Sequence, residues 1–334
     1  MNMNRRSTIT GLVAAPFVAS LPAYADNRTA LKLAHHSPVS NHLHGVGEAM
    51  ATHFNDNSDT HRIEVYGSGT LYTEKALVNS VAFGTVDLIF AASTFWEETV
   101  PEISLLDFPM LLNTYENAHA AIDGELGAGL KKIVEERNDV QLLSWMEFGI
   151  NGMVINRSRR LDSIAAFEGL RIRAPNTYAS LVMESVGASS VITSSSEVYL
   201  ALQRGTMDGA FTGPKSVIER KFNEVTSFAT HMPIQYSAQP VVVANRSWDR
   251  MGEPAQQLLM ETVAMGQAMS RESSRADVEA GIEGAKQTLQ MSELSPETLQ
   301  QIADMAMPAS EEYLQRVAGE TGMQLLQTAR AALT

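Results

Sequence analysis

The sequence predicts an α/β protein made of two similar lobes that share one long helix. Short apolar strand patterns alternate with amphipathic helix patterns, as in proteins whose mostly parallel sheet is covered by helices. A Gly-Thr-x-Asp element occurs twice in equivalent positions, at 84–87 and 205–208. A run of helix-forming residues extends from Pro254 to Met291 without a further proline, and it is too long for one small lobe.

The first predicted strand covers residues 31–34, and Ser40 is placed to cap the helix that follows. The apolar face of this helix carries Leu43, Val46, Met50 and Phe54. Residues 63–66 alternate as a half-buried strand does, and the glycines of Gly67-Ser68-Gly69 end that strand.

The first Gly-Thr-x-Asp element links a predicted helix over 74–83 to a buried strand over 86–91. The second lies between a helix that begins near Ser194 and the strand that follows Asp208. Glycine suits the left-handed position at the end of a helix, and aspartate can bond backbone amides where the chain turns. Ser194 and Glu197 also predict a capping box.

The rest of the chain is predicted to be mainly helical. The run from Pro254 is either one helix or two helices joined near Gly281, and further helices cover 296–305 and 310–332. We expect lobe I to comprise residues 26–148 and about 237–276. Lobe II then comprises residues 149–236 and about 277–334.

The N-terminus has the pattern of an export signal. Arg5 and Arg6 precede an apolar stretch over 9–21, and Ala23-Tyr24-Ala25 supplies the small residues that signal peptidase requires, so residues 1–25 are the predicted signal peptide. The arginine pair is an incomplete twin-arginine motif, which leaves both the Sec and the Tat export routes open. The apolar stretch is shorter than the about 20 residues that span a bilayer.

Composition excludes several functions. The net charge is −13, and it becomes −15 without Arg5 and Arg6, which argues against nucleic acid and anionic membranes as partners. An anionic ligand remains compatible, because a surface field is screened within ~8–10 Å at physiological salt. The absence of cysteine excludes disulfides, thiol catalysis and thiolate metal sites.

Four histidines occur early in the chain, at positions 35, 36, 42 and 44. Imidazole is a common metal ligand, but His42 and His44 lie on different faces of a helix and no acidic residue completes a recognisable set. We therefore expect no metal and no other cofactor. His36, at the end of the first strand, is interpreted as a polar residue that faces a cleft.

No enzyme motif is present in the sequence. It contains no Gly-x-Ser-x-Gly elbow, phosphate loop or dinucleotide fingerprint. Glu74 and Glu147 would form an acid–base pair only if folding brought them together. A binding protein is therefore the leading interpretation, an exported hydrolase or lyase is the alternative, and a periplasmic ligand sensor is the third.

Arg171 and Arg173 lie in the predicted strand Gly169-Leu170-Arg171-Ile172-Arg173-Ala174-Pro175, and both side chains point to the same face. A guanidinium group in a cleft can hold a carboxylate through two parallel hydrogen bonds. Spacing alone favours the other interpretation, in which both arginines are solvated on the surface.

Several segments resemble the solute-binding proteins of tripartite ATP-independent periplasmic (TRAP) transporters, of the DctP type. The matching segments occur in the family's order and cover most of the mature chain. They are Val65 to Leu71, Gly84-Thr85-Val86-Asp87, Leu106-Asp107-Phe108-Pro109, Phe167 to Asn176, Ser196 to Gln203 and Met207-Asp208-Gly209.

This resemblance implies the two-lobed fold of periplasmic binding proteins, with crossing strands between the lobes, a long helix across both and closure over a ligand. It implies that Arg173 binds the carboxylate of a small organic acid. It also implies that the protein is periplasmic and delivers this acid to membrane subunits of a TRAP transporter, which are driven by an ion gradient.

The expected ligand contacts are a set of polar and aromatic residues: Arg173, Asn151, Thr212, His36, Ser93, Glu74, Trp145 and Phe211. Relatives that bind sialic acid differ at Asn151, at Thr212 and near Ala92, so sialic acid is not expected. Trp96 and Phe148, with Trp145 and Phe211, suggest a more apolar pocket, although at least half of these aromatic residues are interpreted as core. A monocarboxylate with few hydroxyl groups, aromatic acids included, is the favoured ligand.

Export gives the first testable prediction. N-terminal sequencing of the protein recovered from the periplasm should begin at Asp26 or within one or two residues of it, because signal peptidase cleaves after small residues. A mature protein that still carries Met1 would contradict this prediction.

Overall fold

A computed structural model of the protein describes residues 26–333, so the predicted signal peptide lies outside it. The side chains of Glu74, Lys75 and Asn151 also lie outside the description. The strands are β1 (Thr29–His35), β2 (His61–Tyr66), β3 (Leu88–Phe90), β4 (Val140–Asn156), β5 (Arg171–Ala174), β6 (Ser189–Ile192), β7 (Gly209–Thr212), β8 (Phe228–Ala244) and β9 (Gln290–Glu293).

The α-helices alternate with the strands in the first part of the chain and dominate its end. They are α1 (His42–Asn57), α2 (Glu74–Ala82), α3 (Tyr115–Asp123), α4 (Glu125–Arg137), α5 (Thr177–Ser185), α6 (Ser195–Arg204), α7 (Pro214–Glu219), α8 (Asn245–Met251), α9 (Glu253–Thr288) and α10 (Pro296–Ala332). Short 3-10 helices at Ser93–Phe95, Pro101–Asp107, Ile164–Phe167 and Phe222–Glu224 lie between them.

The strands form one sheet in the order β2-β1-β3-β8-β4-β7-β5-β6, and β9 pairs with β8. Strands β4 and β8 are 17 residues long and pair antiparallel from Val140–Ala244 to Asn156–Phe228. The parallel group of β1, β2 and β3 adjoins one end of this pair, and the parallel group of β5, β6 and β7 adjoins the other. We call these halves lobe I and lobe II, and they confirm the predicted α/β class.

The two Gly-Thr-x-Asp elements have the same role in the two lobes. The carboxylate of Asp87 accepts a hydrogen bond from the backbone N of Lys32 in β1 at 2.8 Å, and that of Asp208 accepts from Arg171 in β5 at 2.9 Å. Gly84 and Gly205 have φ values of 63° and 72°, in the left-handed region that glycine favours. Each element therefore fixes a helix-to-strand turn to the first strand of its parallel group.

Helix α9 is continuous over 36 residues, so Gly281 does not divide it. A Cβ atom added at Gly266 would meet the side chain of Met50 in α1, which belongs to lobe I. A Cβ atom added at Gly281 would meet backbone atoms of Pro214 and Lys215 in α7, which belongs to lobe II. Helix α9 therefore packs on both lobes, as the fold class predicts.

Helix α10 also contacts both cores. It contains Pro308 and a non-helical residue, Gly319, with φ 60° and ψ −149°. Ile302 packs in the lobe II core, whereas Leu314 and Leu326 pack in the core of lobe I. The predicted assignment of residues 277–334 to lobe II therefore stays a proposal, and only the first part of α10 packs on the lobe II core.

Two predicted helix caps are wrong. The side chain of Asn41, and not that of Ser40, caps α1 by accepting a hydrogen bond from the backbone N of Leu43 at 3.1 Å. The side chain of Ser194 makes no capping bond to α6, and Glu197 accepts a hydrogen bond from the hydroxyl group of Thr193 instead. At α1 the neighbouring Asn41 caps the helix in place of Ser40, and at α6 Glu197 pairs with Thr193 in place of Ser194. Sequence spacing does not show this competition.

Within residues 26–333, no helix combines the length and the apolar character that crossing a membrane requires.

The packing of α9 on α7 gives the second testable prediction. Gly281→Ala should lower the free energy of unfolding by about 1–3 kcal/mol, because the new methyl group overlaps the α7 backbone. The matched control is Gly45→Ala in α1, where a Cβ atom meets nothing within 4 Å. Because Gly45 is exposed and helical, its replacement by alanine should raise the free energy of unfolding by about 0.5–1 kcal/mol. Urea denaturation measures the free energy of unfolding of both variants. Equal effects of the two substitutions would contradict the close approach of α9 to the α7 backbone.

Candidate functional site

A cavity of about 810 Å³ lies between the lobes. It is bordered by residues at the carboxyl ends of the parallel strands, with His36 after β1, Ser93 after β3, Arg173 in β5 and Thr212 in β7. In α/β sheets the carboxyl ends of strands are the usual place for a ligand, because the loops that follow them leave a crevice. The fold therefore brings residues from both lobes to one site.

Arg173 is a buried charged residue of the cavity wall. Its residue exposure is 4%, although it lies at the cavity wall. The Nε and Nη2 atoms donate hydrogen bonds to the carbonyl oxygen of Thr193 at 2.9 and 2.7 Å, and Nη1 donates to that of Phe211 at 3.2 Å. These bonds hold the planar guanidinium group in one orientation.

Arg171 lies two residues away on the same strand, but its environment differs completely. Its side chain is 51% exposed and pairs with the carboxylate of Asp208 at 3.1 Å. It also donates to the carbonyl oxygen of Gly205. The strand therefore presents one arginine to the cavity and the other to the helix-to-strand turn of lobe II.

Five of the predicted contacts border this cavity: His36, Ser93, Arg173, Phe211 and Thr212. Whether they bind a ligand stays a prediction. Trp145 does not border it, because this residue of β4 is packed in the lobe I core, where Trp96 is also buried. Phe148 does border it. The side chains of Glu74 and Asn151 lie outside the description.

Two buried carboxyl groups of the cavity were not predicted. Asp107 accepts a hydrogen bond from the hydroxyl group of Ser93 at 2.5 Å, and Glu97 accepts one from that of Tyr313 at 3.3 Å. Burial raises the pKa of Asp107 to about 7. Burial, with the nearby charge of Asp107, raises the pKa of Glu97 to about 8. Both groups therefore carry a proton for much of the time near neutral pH.

Two further basic side chains border the cavity, those of His36 and Arg220. Burial lowers the pKa of His36 to about 4, and the charge of Arg220 acts in the same direction, so His36 is neutral at physiological pH. Arg220 follows α7 and also borders the cavity, and sequence reasoning did not identify it. Among the described residues, two guanidinium groups and three carboxyl groups, those of Glu97, Asp107 and Glu197, therefore border the cavity.

Aromatic and polar side chains share the wall of the cavity. Phe95, Phe148 and Phe211 are the phenylalanines at this wall. Hydroxyl and amide side chains from both lobes border the cavity beside them, among them Ser93, Asn176, Thr212, Ser216, Ser237 and Gln239. The expectation of a more apolar pocket stays a prediction: Phe148 and Phe211 border the cavity, whereas Trp96 and Trp145 belong to the core.

The early histidines separate in the fold. His35 lies 3.2 Å from His44 and stacks on Phe90, while His42 hydrogen-bonds to Asp277 at 2.8 Å. In the part of the chain that the structure describes, no group of three or more histidine, aspartate and glutamate residues is arranged to hold a metal ion.

Glu147 belongs to a buried polar network and does not border the cavity. Its carboxylate accepts a hydrogen bond from the hydroxyl group of Tyr236 at 2.9 Å and another from Ser274, and it lies 2.5 Å from His119. Glu147 therefore offers no support for an acid–base pair with Glu74, which the sequence analysis made conditional on folding.

A family model described as bacterial extracellular solute-binding protein, family 7, matches residues 33–316. The chain belongs to this family. The resemblance to TRAP solute-binding proteins is thereby confirmed, and members of the family are solute-binding proteins and not enzymes.

Two relatives match most of the chain. A solute-binding protein of Roseobacter denitrificans is 28% identical over 271 residues, which are 79% of this chain and 81% of the relative. The C4-dicarboxylate-binding periplasmic protein DctP of Rhodobacter capsulatus is 25% identical over 264 residues, 78% of either chain.

The crystal structure of the sugar acid binding protein DctPAm from Advenella mimigardefordensis, in complex with galactonate, has the same fold. It superposes with a TM-score of 0.84 at 21% identity and covers 92% of this chain and 99% of its own. The two-lobed family 7 fold is therefore shared over nearly all of the described residues.

Asp107 gives the third testable prediction. Its carboxyl group keeps a proton in the folded protein up to about pH 7 but releases it near pH 4 in the unfolded chain. Between these values a rise in pH therefore lowers the free energy of unfolding that this group contributes. Asp107→Asn should remove this loss. Between pH 4 and pH 7 the free energy of unfolding of the variant should therefore rise by on the order of 2–4 kcal/mol relative to that of the wild type.

Urea denaturation at several pH values measures this difference. Asp249→Asn, at an exposed position of α8, controls for the general effect of removing one acidic side chain. If the free energy of unfolding depends on pH in the same way for wild type and Asp107→Asn, Asp107 is not a buried, protonated group.

Proposed function

We propose that this protein is the periplasmic solute-binding subunit of a TRAP transporter, which captures a small organic acid in the cavity between its lobes. It then delivers the acid to membrane subunits that use an ion gradient for uptake. Family membership supports the transport role. The observation that carries the ligand class is the buried guanidinium group of Arg173 at the cavity wall.

A carboxylate is the ligand group that matches this guanidinium. Its planar donors can bind two carboxylate oxygens through parallel hydrogen bonds, and the bonds to Thr193 and Phe211 fix its orientation before a ligand enters. In a space with little water such a charge-assisted pair is strong, because few solvent molecules compete for either partner. The similar proteins from Rhodobacter capsulatus and Advenella mimigardefordensis, a C4-dicarboxylate-binding protein and a sugar acid binding protein in complex with galactonate, support an organic acid.

We infer that the bound acid leaves the cavity chemically unchanged. The family consists of solute-binding proteins and not of enzymes, which supports release of the acid without chemistry. Mass spectrometry of the acid that remains bound through purification identifies the ligand. Recovery of a converted product would contradict the binding function.

Arg173 gives the fourth testable prediction. Arg173→Ala should weaken binding of the identified acid by about 30-fold to several thousand-fold, because loss of one partner leaves a buried charge unpaired at about 2–5 kcal/mol. Arg173→Lys should recover only part of the affinity, since an ammonium group lacks the planar fork. Titration calorimetry on folded variants measures the affinities.

Arg171→Ala is the matched control on the same strand. Its exposed pair with Asp208 lies outside the cavity, so its loss should change affinity by less than tenfold, under about 1.4 kcal/mol. Small and equal losses for both alanine variants would remove Arg173 as the carboxylate anchor.

A further inference from the structure

Polar side chains join the two lobes where α1 meets α7. Asn41, at the start of α1 in lobe I, is 3% exposed, and its Nδ2 donates a hydrogen bond to Oε2 of Glu219 in α7 of lobe II at 3.3 Å. The same side chain caps α1, because its Oδ1 accepts from the backbone N of Leu43. One amide group therefore holds its own helix with its oxygen and the other lobe with its nitrogen.

Asp277 in α9 links the same two helices. Its Oδ2 lies 2.8 Å from Nδ1 of His42 in α1, and its Oδ1 lies 3.2 Å from Nζ of Lys215 in α7. The side chains of His42 and Asp277 are largely shielded from water. We call Asn41, His42, Lys215, Glu219 and Asp277 the α1–α7 cluster.

The α1–α7 cluster adjoins the cavity. Phe148 and Gly213 border both the cavity and the narrow cleft that contains Asn41 and Asp277. Within α7, Ser216 borders the cavity, whereas Glu219 contacts α1. A movement that separates α7 from α1 therefore also widens the cavity.

On another side the lobes meet through an apolar core. Tyr178 of α5 in lobe II is fully buried with residues of the lobe I core, and its ring lies 5.2 Å from that of Phe108. Separating an apolar contact exposes its surface to water, whereas water replaces the partners of a polar contact at a small net cost. The lobes therefore separate more easily at the α1–α7 cluster than at Tyr178.

We propose that the α1–α7 cluster is a latch that holds the lobes in the closed arrangement, in which both of them border the cavity. Asn41 and Glu219 are positioning residues of this latch, because they act on a bound acid through the arrangement of the lobes. This inference rests on the proposed function, since the latch retains the acid that Arg173 binds.

The latch contributes to affinity without contact to the ligand. An acid that needs walls from both lobes binds the closed arrangement, so its apparent affinity is reduced by the fraction of the protein that is open. The net contribution of one hydrogen bond corresponds to a factor of about three to ten in that equilibrium. Release requires opening, so loss of the latch should mainly speed release.

Asn41→Ser tests the latch on the mature protein. Serine keeps an oxygen that can cap α1, but it lacks the amide nitrogen that reaches Glu219. The probes are D-galactonate, succinate and the acid recovered from the purified protein. Titration calorimetry should show about three- to tenfold weaker binding, by the same factor for each acid that binds, and stopped-flow kinetics should assign the loss to release.

Glu219→Met removes the acceptor on the other lobe. In that background Asn41→Ser should cause no further loss, because the two substitutions break the same contact. A loss that persists unchanged in the Glu219→Met background would overturn the latch, since Asn41 would then act through the capping of α1 alone. The matched control is Asp123→Asn, which breaks the ion pair of α9 with α3 of lobe I and should leave affinity unchanged.

Spin labels measure the separation of the lobes directly. The chain lacks cysteine, so Asp56→Cys in α1 and Gln203→Cys in α6, both at exposed positions, provide two defined labelling sites. Loss of the latch should lengthen the label distance where the ligand-free wild type is closed, and it should weaken affinity where the ligand-free wild type is open. Label distances and affinities that both stay unchanged in Asn41→Ser would overturn the latch.

The outcomes separate this inference from the proposed function. If Arg173→Ala leaves the affinity for every acid that binds unchanged, the carboxylate anchor fails. The latch is judged from the Asn41 and Glu219 variants, which leave Arg173 intact.

Discussion

The antiparallel pairing of β4 and β8 is the constraint on which the rest of the structure depends. These two 17-residue strands run through both lobes, and the parallel groups of lobe I and lobe II adjoin their opposite ends. The cavity lies between the two groups, so its walls come from segments far apart in sequence. Helix α9 reinforces this arrangement, because it packs on α1 through Gly266 and on α7 through Gly281.

Local features of the fold were predictable, whereas the long strands were not. The Gly-Thr-x-Asp elements were recognisable because one left-handed glycine and one aspartate specify the turn within a few residues. Strand β8 is buried almost throughout and contains Pro240, so it lacks the alternating pattern that identifies a strand. The crossing strands were therefore expected from the family resemblance and not from residue patterns.

The candidate site was likewise predictable only in part. Arg171 and Arg173 have the same residue type and strand, and only tertiary packing buries one and exposes the other. The family resemblance distinguished them, but spacing did not. Asp107 was missed because its place in the site depends on residues far away in the sequence, Ser93 and Gln235, which donate hydrogen bonds to it.

The shared strands also govern how such a protein can change its ligand over evolutionary time. Because the chain passes from lobe I to lobe II along β4 and returns along β8, neither lobe is a contiguous stretch of sequence. Recombination between genes cannot exchange one lobe for another without cutting both central strands. Substitutions at the cavity wall avoid this difficulty, because they change the surface that meets a ligand and leave the pairing of β4 with β8 intact.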